Sequence, residues 1–208
     1  MPGAGTLTVE RDGGVVRCTL DRPPLNLLEP DLIRALRDCF RSLADDPTVR
    51  VAVLTGRGRA FTAGMDVNVL AALDVARGAT MGLPEVRVGV PSVIEAALLA
   101  PMVGPGRAAE LLLCGESITA DEALGWGMVN RVVPPADLGA AVDAMVAKIL
   151  AGAPAAIRLQ KELMVRWRST DLATAVEYGV NAFAVSYASA DAREGLRAFL
   201  EKRPPRWP

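Results

Sequence analysis

One glycine-bearing turn and two carboxylates in apolar surroundings are the features of this chain that could carry chemistry. The segment Ala60-Phe61-Thr62-Ala63-Gly64-Met65-Asp66 follows the apolar run Val49-Arg50-Val51-Ala52-Val53-Leu54-Thr55-Gly56. A buried strand that ends in such a turn and then opens a helix aims unpaired backbone N–H groups at whatever sits above it. Groups of that kind hold an oxygen that gains negative charge, as a thioester oxygen does on becoming an enolate. Glu85 stands among Leu83, Val86 and Val88, and an apolar setting is what a carboxylate needs to exchange protons near neutrality. The other reading of Glu85 is a glutamate that starts a helix after Pro84. Glu95 is an isolated charge in Val93-Ile-Glu-Ala-Ala-Leu-Leu. It is either a second carboxylate near the site or the partner of an arginine.

Several chemistries are excluded by residue type. The chain has no histidine, which removes Ser-His-Asp and Cys-His nucleophiles and every His-ligated metal. Cys18, Cys39 and Cys114 form no CxxC pair, so they read as reduced thiols, mostly in the core, and no metal site is expected. Charged residues make up 23% with a net charge of -1, which gives no electrostatic reason to expect nucleic acid or an acidic membrane as partner. Gly56-Arg57-Gly58 lacks the third glycine of a dinucleotide fingerprint, and no Walker A motif is present.

The elements that position these groups follow from patterning. Thr6–Glu10 and Val15–Asp21 read as a hairpin around Asp12-Gly13-Gly14. Asp31–Ala44 carries Leu32, Leu36, Phe40 and Leu43 at helical spacing. Val49–Thr55 reads as a continuous, buried strand of the parallel kind, and Val67–Leu73 as a short helix. From Arg107 onward the pattern is helical. Thr119-Ala-Asp-Glu122 is a capping-box signature, with Gly125 and Gly127 closing that helix. Asn130–Val133 reads as a short extended piece. Helices follow over Leu138–Leu150, Ala155–Arg168, Leu172–Ser186 and Ala192–Lys202, the last capped by Asp191 with Glu194. The 208 residues fit a core over 1–106 and a helical region over 107–208. The N-terminus lacks an apolar signal core, and Val88–Gly104 is interrupted by Glu95, Pro91 and Pro101. The expectation is a soluble, cytoplasmic protein.

Five segments, in order, resemble the enoyl-CoA hydratase/isomerase (crotonase) family. They are Asp21-Arg-Pro-Pro-Leu-Asn26, Leu54–Asp66, Gly82-Leu-Pro-Glu-Val-Arg-Val-Gly89, Leu112–Asn130 and Phe199-Leu-Glu-Lys-Arg-Pro204. The resemblance covers nearly the whole chain. It implies an α/β fold, a crotonase-like ββα superhelix with a helical C-terminal region, acting on acyl-CoA thioesters with coenzyme A as part of the substrate and no separate cofactor. It also implies a homo-oligomer, a trimer or a hexamer.

On that resemblance Met65 supplies an oxyanion N–H, Ala63 and Gly64 let the substrate approach, and Glu85 exchanges protons with substrate or water. Pro24 falls in the loop that meets the CoA adenine. Asp66, Pro84 and Ser92 fall in matching substrate-binding segments. Lys202 and Phe199 either match residues that contact CoA from the C-terminal helix, in this or a neighbouring subunit, or are an exposed lysine and a core phenylalanine, while Arg57 and Arg59 either face its phosphates or are solvated. Asn68 replaces a common lysine, and Ser92-Val93 replaces common glycines. Between the first oxyanion loop and the Pro-Glu segment only Val67–Met81 remains. Roughly fifty residues, one or two turns of a stacked superhelix, are missing there, with a Gly-Gly-Gly-type turn and often a first glutamate. Ala76–Met81 reads as the scar. Two functions follow from the resemblance: a hydratase adding water to 2-enoyl-CoA, or a silent acyl-CoA binder or oligomer subunit.

Overall fold

The computed structural model describes residues 7–62, 74–93 and 96–207. Calls on Val67–Leu73, Asn68 and Glu95 lie outside them. The chain divides into two compact units. One takes Met1–Glu10, Arg17–Asp45 and Val53–Ala144, and the other takes Arg11–Val16, Asp46–Ala52 and Met145–Pro208.

Three strands, β1 (Leu7–Asp12), β2 (Val15–Leu20) and β3 (Val51–Gly56), form a sheet in the order β1-β2-β3. The hairpin turns at Gly13, whose φ of 54° is easy only for a residue without Cβ. Val16, Cys18 and Leu20 of β2 are buried, the period of two expected of a strand with one covered face. Helix α1 (Pro30–Asp45) buries Leu32. The expectation of a fully buried β3 is not met. Val51 alone of that strand is buried, while Ala52 and Thr55 are exposed, and β3 stands at the end of the strand order.

The first unit is organised by a core of Val75, Met81, Leu99, Leu111, Ile118 and Met128 with small alanines between them. Two short pairings bring its parts together. β4 (Asp74–Ala76) runs parallel to β7 (Arg131–Val133), with Val75 opposite Val132. β5 (Thr80–Gly82) runs antiparallel to β6 (Ser117–Thr119), with Met81 opposite Ile118. The scar expected at Ala76–Met81 is thus ordered sheet and turn. The pairing is close at Gly82, where a Cβ would stand 2.6 Å from Ser117 Oγ and 3.0 Å from Ser117 Cα.

Helix α2 (Ala96–Val103) contains Pro101 and buries Leu99, and α3 (Pro105–Cys114) buries Ala108 and Leu111. Fully burying a leucine of this kind contributes about 1.5–3 kcal/mol relative to exposure. Helix α4 (Ala120–Gly125) begins with the expected capping box. Thr119 Oγ1 accepts from Glu122 N–H at 3.2 Å, and Thr119 N–H donates to Glu122 Oε2 at 2.8 Å.

The second unit holds the C-terminal part of α5 (Leu138–Leu150), from Met145, together with α6 (Pro154–Arg166), α7 (Leu172–Tyr187) and α8 (Ala190–Leu200). The cap assigned to Asp191 with Glu194 is corrected. Ser189 caps α8, accepting from Ala192 N–H at 3.1 Å. Asp191 is buried inside the helix and accepts from Ala155 N–H at 2.8 Å, so it satisfies the open first turn of α6 instead. Helices α6 and α7 leave a groove of about 310 Å³ lined in part by Leu159, Leu163, Tyr178 and Val185.

The three cysteines are free, but Cys114 is exposed rather than core. Cys18 Sγ meets Cys39 Sγ at 3.7 Å, and burial pushes the Cys18 thiol up to about 12, with help from its contact to Cys39. A thiol so far from ionising near neutrality is a packing group rather than a nucleophile. No single helix among the described residues is long and apolar enough to cross a membrane.

Candidate active site

Asn26 organises the first half of the site. It has a φ of 51° and is fully buried. Asparagine tolerates the left-handed region better than most residues because its short amide bonds locally. Here that amide is fully used. Nδ2 donates to Arg57 O at 3.0 Å and to Ala60 O at 2.7 Å, while Oδ1 accepts from Arg22 N–H at 2.7 Å. Asn26 O also accepts from Thr62 Oγ1 at 2.7 Å. The loop that holds the cis Pro23–Pro24 bond is thereby stitched to the loop after β3.

That second loop turns hard. A Cβ on Gly56 would lie 2.5 Å from Phe61 O and 2.6 Å from Phe61 Cα. Only glycine lets the chain fold back at this distance, so Gly56 is a packing requirement, while the turn expected at Gly64 lies outside the described residues. Arg57 pairs with Asp21 at 2.7 Å, and its own side chain is largely exposed. Arg59 is exposed. Ala63, Gly64, Met65 and Asp66 lie outside the described residues, so the structure gives the anchor of the segment up to Thr62.

The second half is built on the end of β5. Pro84 opens a short 3-10 turn over Pro84–Val88, where its fixed φ suits a first position. Gly89, at a φ of 84°, ends the turn, and Val90 N–H donates to Glu85 O at 3.2 Å. The chain then doubles back, and Ser92 Oγ donates to Glu85 Oε2 at 2.7 Å. Glu85 and Ser92 are both half-buried. Oε1 of Glu85 has no hydrogen-bonding partner among the described residues. Arg87 ties the turn to the end of α3, with Nε donating to Cys114 O at 3.1 Å and NH2 reaching Glu116 at 3.2 Å.

The apolar setting expected for Glu85 is only partly present. Leu83 is half-buried, but Val86 is 41% exposed and Val88 is 78% exposed. A 3-10 turn of five residues presents its side chains around the axis rather than to one face, so apolar neighbours in sequence do not enclose the carboxylate.

The structure therefore brings Pro84, Glu85 and Ser92 together, and it joins the Pro24 loop to the loop leading to residue 63. Lys202 belongs to the other unit. It is exposed with a φ of 54°, and its N–H donates to Phe199 O at 3.2 Å, Phe199 being 81% exposed. Two features were not singled out from sequence. One is the four-way role of Asn26, for which a lone Asn after Pro-Pro-Leu is a weak turn signal. The other is the Glu85–Ser92 contact, whose spacing of seven residues fits no regular period and depends on the Gly89 turn.

Comparison with known proteins supplies the context for this geometry. The family model for enoyl-CoA hydratase/isomerase matches residues 10–77 and 72–208. The crotonyl-CoA hydratase of Syntrophomonas wolfei is 29% identical, with 95% of each chain covered. The carnitinyl-CoA dehydratase of Salmonella arizonae is 28% identical, covering 97% of this chain and 98% of its own. Among solved structures, an enoyl-CoA hydratase of Mycobacterium smegmatis superposes with a TM-score of 0.89 at 31% identity, covering 97% of this chain and 98% of its own. The alignment with the Syntrophomonas protein runs over 248 positions against a chain of 208 residues, so at least 40 of those positions have no counterpart here. The two pieces of the family match meet at residues 72–77, next to the expected scar.

Proposed function

The chain belongs to the enoyl-CoA hydratase/isomerase family and has its crotonase fold, and from that premise we propose that it adds water to 2-enoyl-CoA thioesters. Glu85 takes a proton from water, the oxygen bonds to C3, and the electron pair of the double bond moves onto the thioester oxygen. Return of the proton to C2 completes the addition and restores the carboxylate. The Met65 N–H stabilises the enolate oxygen, with Ala63 and Gly64 allowing its approach. Pro24, Asp66 and Pro84 fall in the segments that resemble substrate-binding ones, and Lys202 matches a residue that contacts CoA, in this or a neighbouring subunit. Coenzyme A enters as part of the substrate and no further cofactor takes part.

The observation that supports this reading best is the Glu85 carboxylate. One of its oxygens is held by Ser92 and the other has no partner among the described residues, in the segment where the resemblance places a proton-exchanging glutamate. A positioned acid/base of this kind contributes about 10²–10⁴-fold. Purified, folded chain is therefore expected to remove the conjugated-enoyl absorbance of crotonyl-CoA, with Glu85→Gln lowering the rate by at least about 100-fold.

A second reading is favoured by the shortened segment at residues 72–77. Loss of one oxyanion donor costs about 10²–10³ in rate, which would leave a silent acyl-CoA binder or an oligomer subunit. Folded chain that binds crotonyl-CoA without turnover, unaffected by Glu85→Gln, would establish that alternative. Under either reading the chain forms a homo-oligomer, a trimer or hexamer, through its helical region. In support, Leu172, Val176, Val180, Phe183 and Tyr187 recur along one side of α7 and are all exposed.

A further inference from the structure

We propose that Ser92 is the positioning residue for Glu85, fixing which carboxylate oxygen faces the reacting atoms. This rests on the reading of Glu85 as the proton-exchanging group. The segment after the 3-10 turn grips Glu85 twice. Val90 N–H holds its backbone carbonyl at 3.2 Å, and Ser92 Oγ holds side-chain Oε2 at 2.7 Å. Gly89, at a φ of 84°, reverses the chain, and Pro91 fixes the approach of residue 92.

A glutamate has three rotatable side-chain bonds, and its apolar neighbours Val86 and Val88 are exposed rather than packed around it. The Ser92 hydrogen bond therefore does the work that packing does in a closed site. It selects one rotamer, occupies Oε2 and directs Oε1 outward. A hydroxyl that donates to a carboxylate also keeps that oxygen from competing for the water proton. Ser92 acts through Glu85 rather than on the substrate, which separates it from a residue that binds acyl-CoA.

The test measures crotonyl-CoA hydration by wild type, Ser92→Ala, Ser92→Thr, Glu85→Gln and the double variant Glu85→Gln/Ser92→Ala, with a melting curve for each. The expected result is a kcat about tenfold lower in Ser92→Ala, with KM and melting temperature little changed and with rescue by Ser92→Thr. The double variant should be no slower than Glu85→Gln alone, because a residue that works only through Glu85 has nothing left to position. A raised KM with unchanged kcat would make Ser92 a substrate contact and overturn the proposal. Equal kcat in wild type and Ser92→Ala would overturn it while leaving the role of Glu85 intact, provided Glu85→Gln is slow. A folded wild type with no turnover at all would overturn both.

Discussion

At the scale of single residues, Asn26 is where most depends on least. Its amide is sealed from water, so each bond it loses leaves a protein group without a replacement partner. Asn26→Ala strands the carbonyls of Arg57 and Ala60 and the N–H of Arg22. An unsatisfied buried group costs about 1–3 kcal/mol. The variant should lose about 3 kcal/mol in urea unfolding. Asn26→Asp should lose more, since a carboxylate cannot donate to either carbonyl. Equal unfolding midpoints for wild type and Asn26→Ala would show that the two loops hold together without it. Residue roles were legible where both partners are close in sequence, as at Thr119 and Glu122. They were illegible where the partner is distant. Asp191 looked like a cap because Asp-x-x-Glu fits a capping pattern, but Ser189 fits the same position and Asp191 is taken by Ala155, 36 residues away.

At the scale of elements, the end of α8 is closed by charge. Glu194 Oε1 accepts from Arg203 at 2.7 Å and from Arg206 N–H at 2.7 Å, and Trp207 Nε1 donates to Ala151 O at 2.9 Å. The Arg203 guanidinium first, and the Arg206 N–H second, hold the Glu194 carboxyl down from its ordinary 4.5 to about 2. Because the folded value is the lower one, the stabilisation is complete above 4.5 and is lost as pH falls toward 2. Melting curves of wild type and Glu194→Gln should differ most near neutrality and converge between pH 4.5 and pH 2. A gap that stays constant across that window would assign the loss to packing instead. Helices were the legible elements, since α1, α5 and α7 have periodic apolar faces and strong end signals. Strand burial was not. Val51–Gly56 is apolar enough for an interior strand, and its neighbours, which decide its exposure, are contributed by residues far off in sequence.

At the scale of the whole molecule, the exposed side of α7 is the main unpaid debt. Leu172 is 81% exposed and Phe183 69%, and on α8 Phe199 and Leu200 are as open. Contiguous apolar surface of this kind marks an association face. Sedimentation should show a trimer or hexamer for wild type and smaller species for Phe183→Glu. A wild type that sediments as a monomer at every concentration would remove the oligomer from the proposed function. Family and fold class were readable because five short segments keep their order along the chain. The enclosure expected around Glu85 was not readable, since accessibility depends on what covers the turn.

The short stretch from Asp74 to Gly82 finally sets a rule for anyone wishing to lengthen this protein. β4 is in register with β7 and β5 with β6. Between them Arg77 N–H is bonded to Val133 O at 2.6 Å, and Ala79 O accepts from Ala120 N–H at 3.0 Å. Hardly a backbone position there is slack. A graft carrying a longer relative's extra residues would, if placed inside this stretch, pull two ladders out of step at once. Placed ahead of Asp74, it would leave both ladders intact.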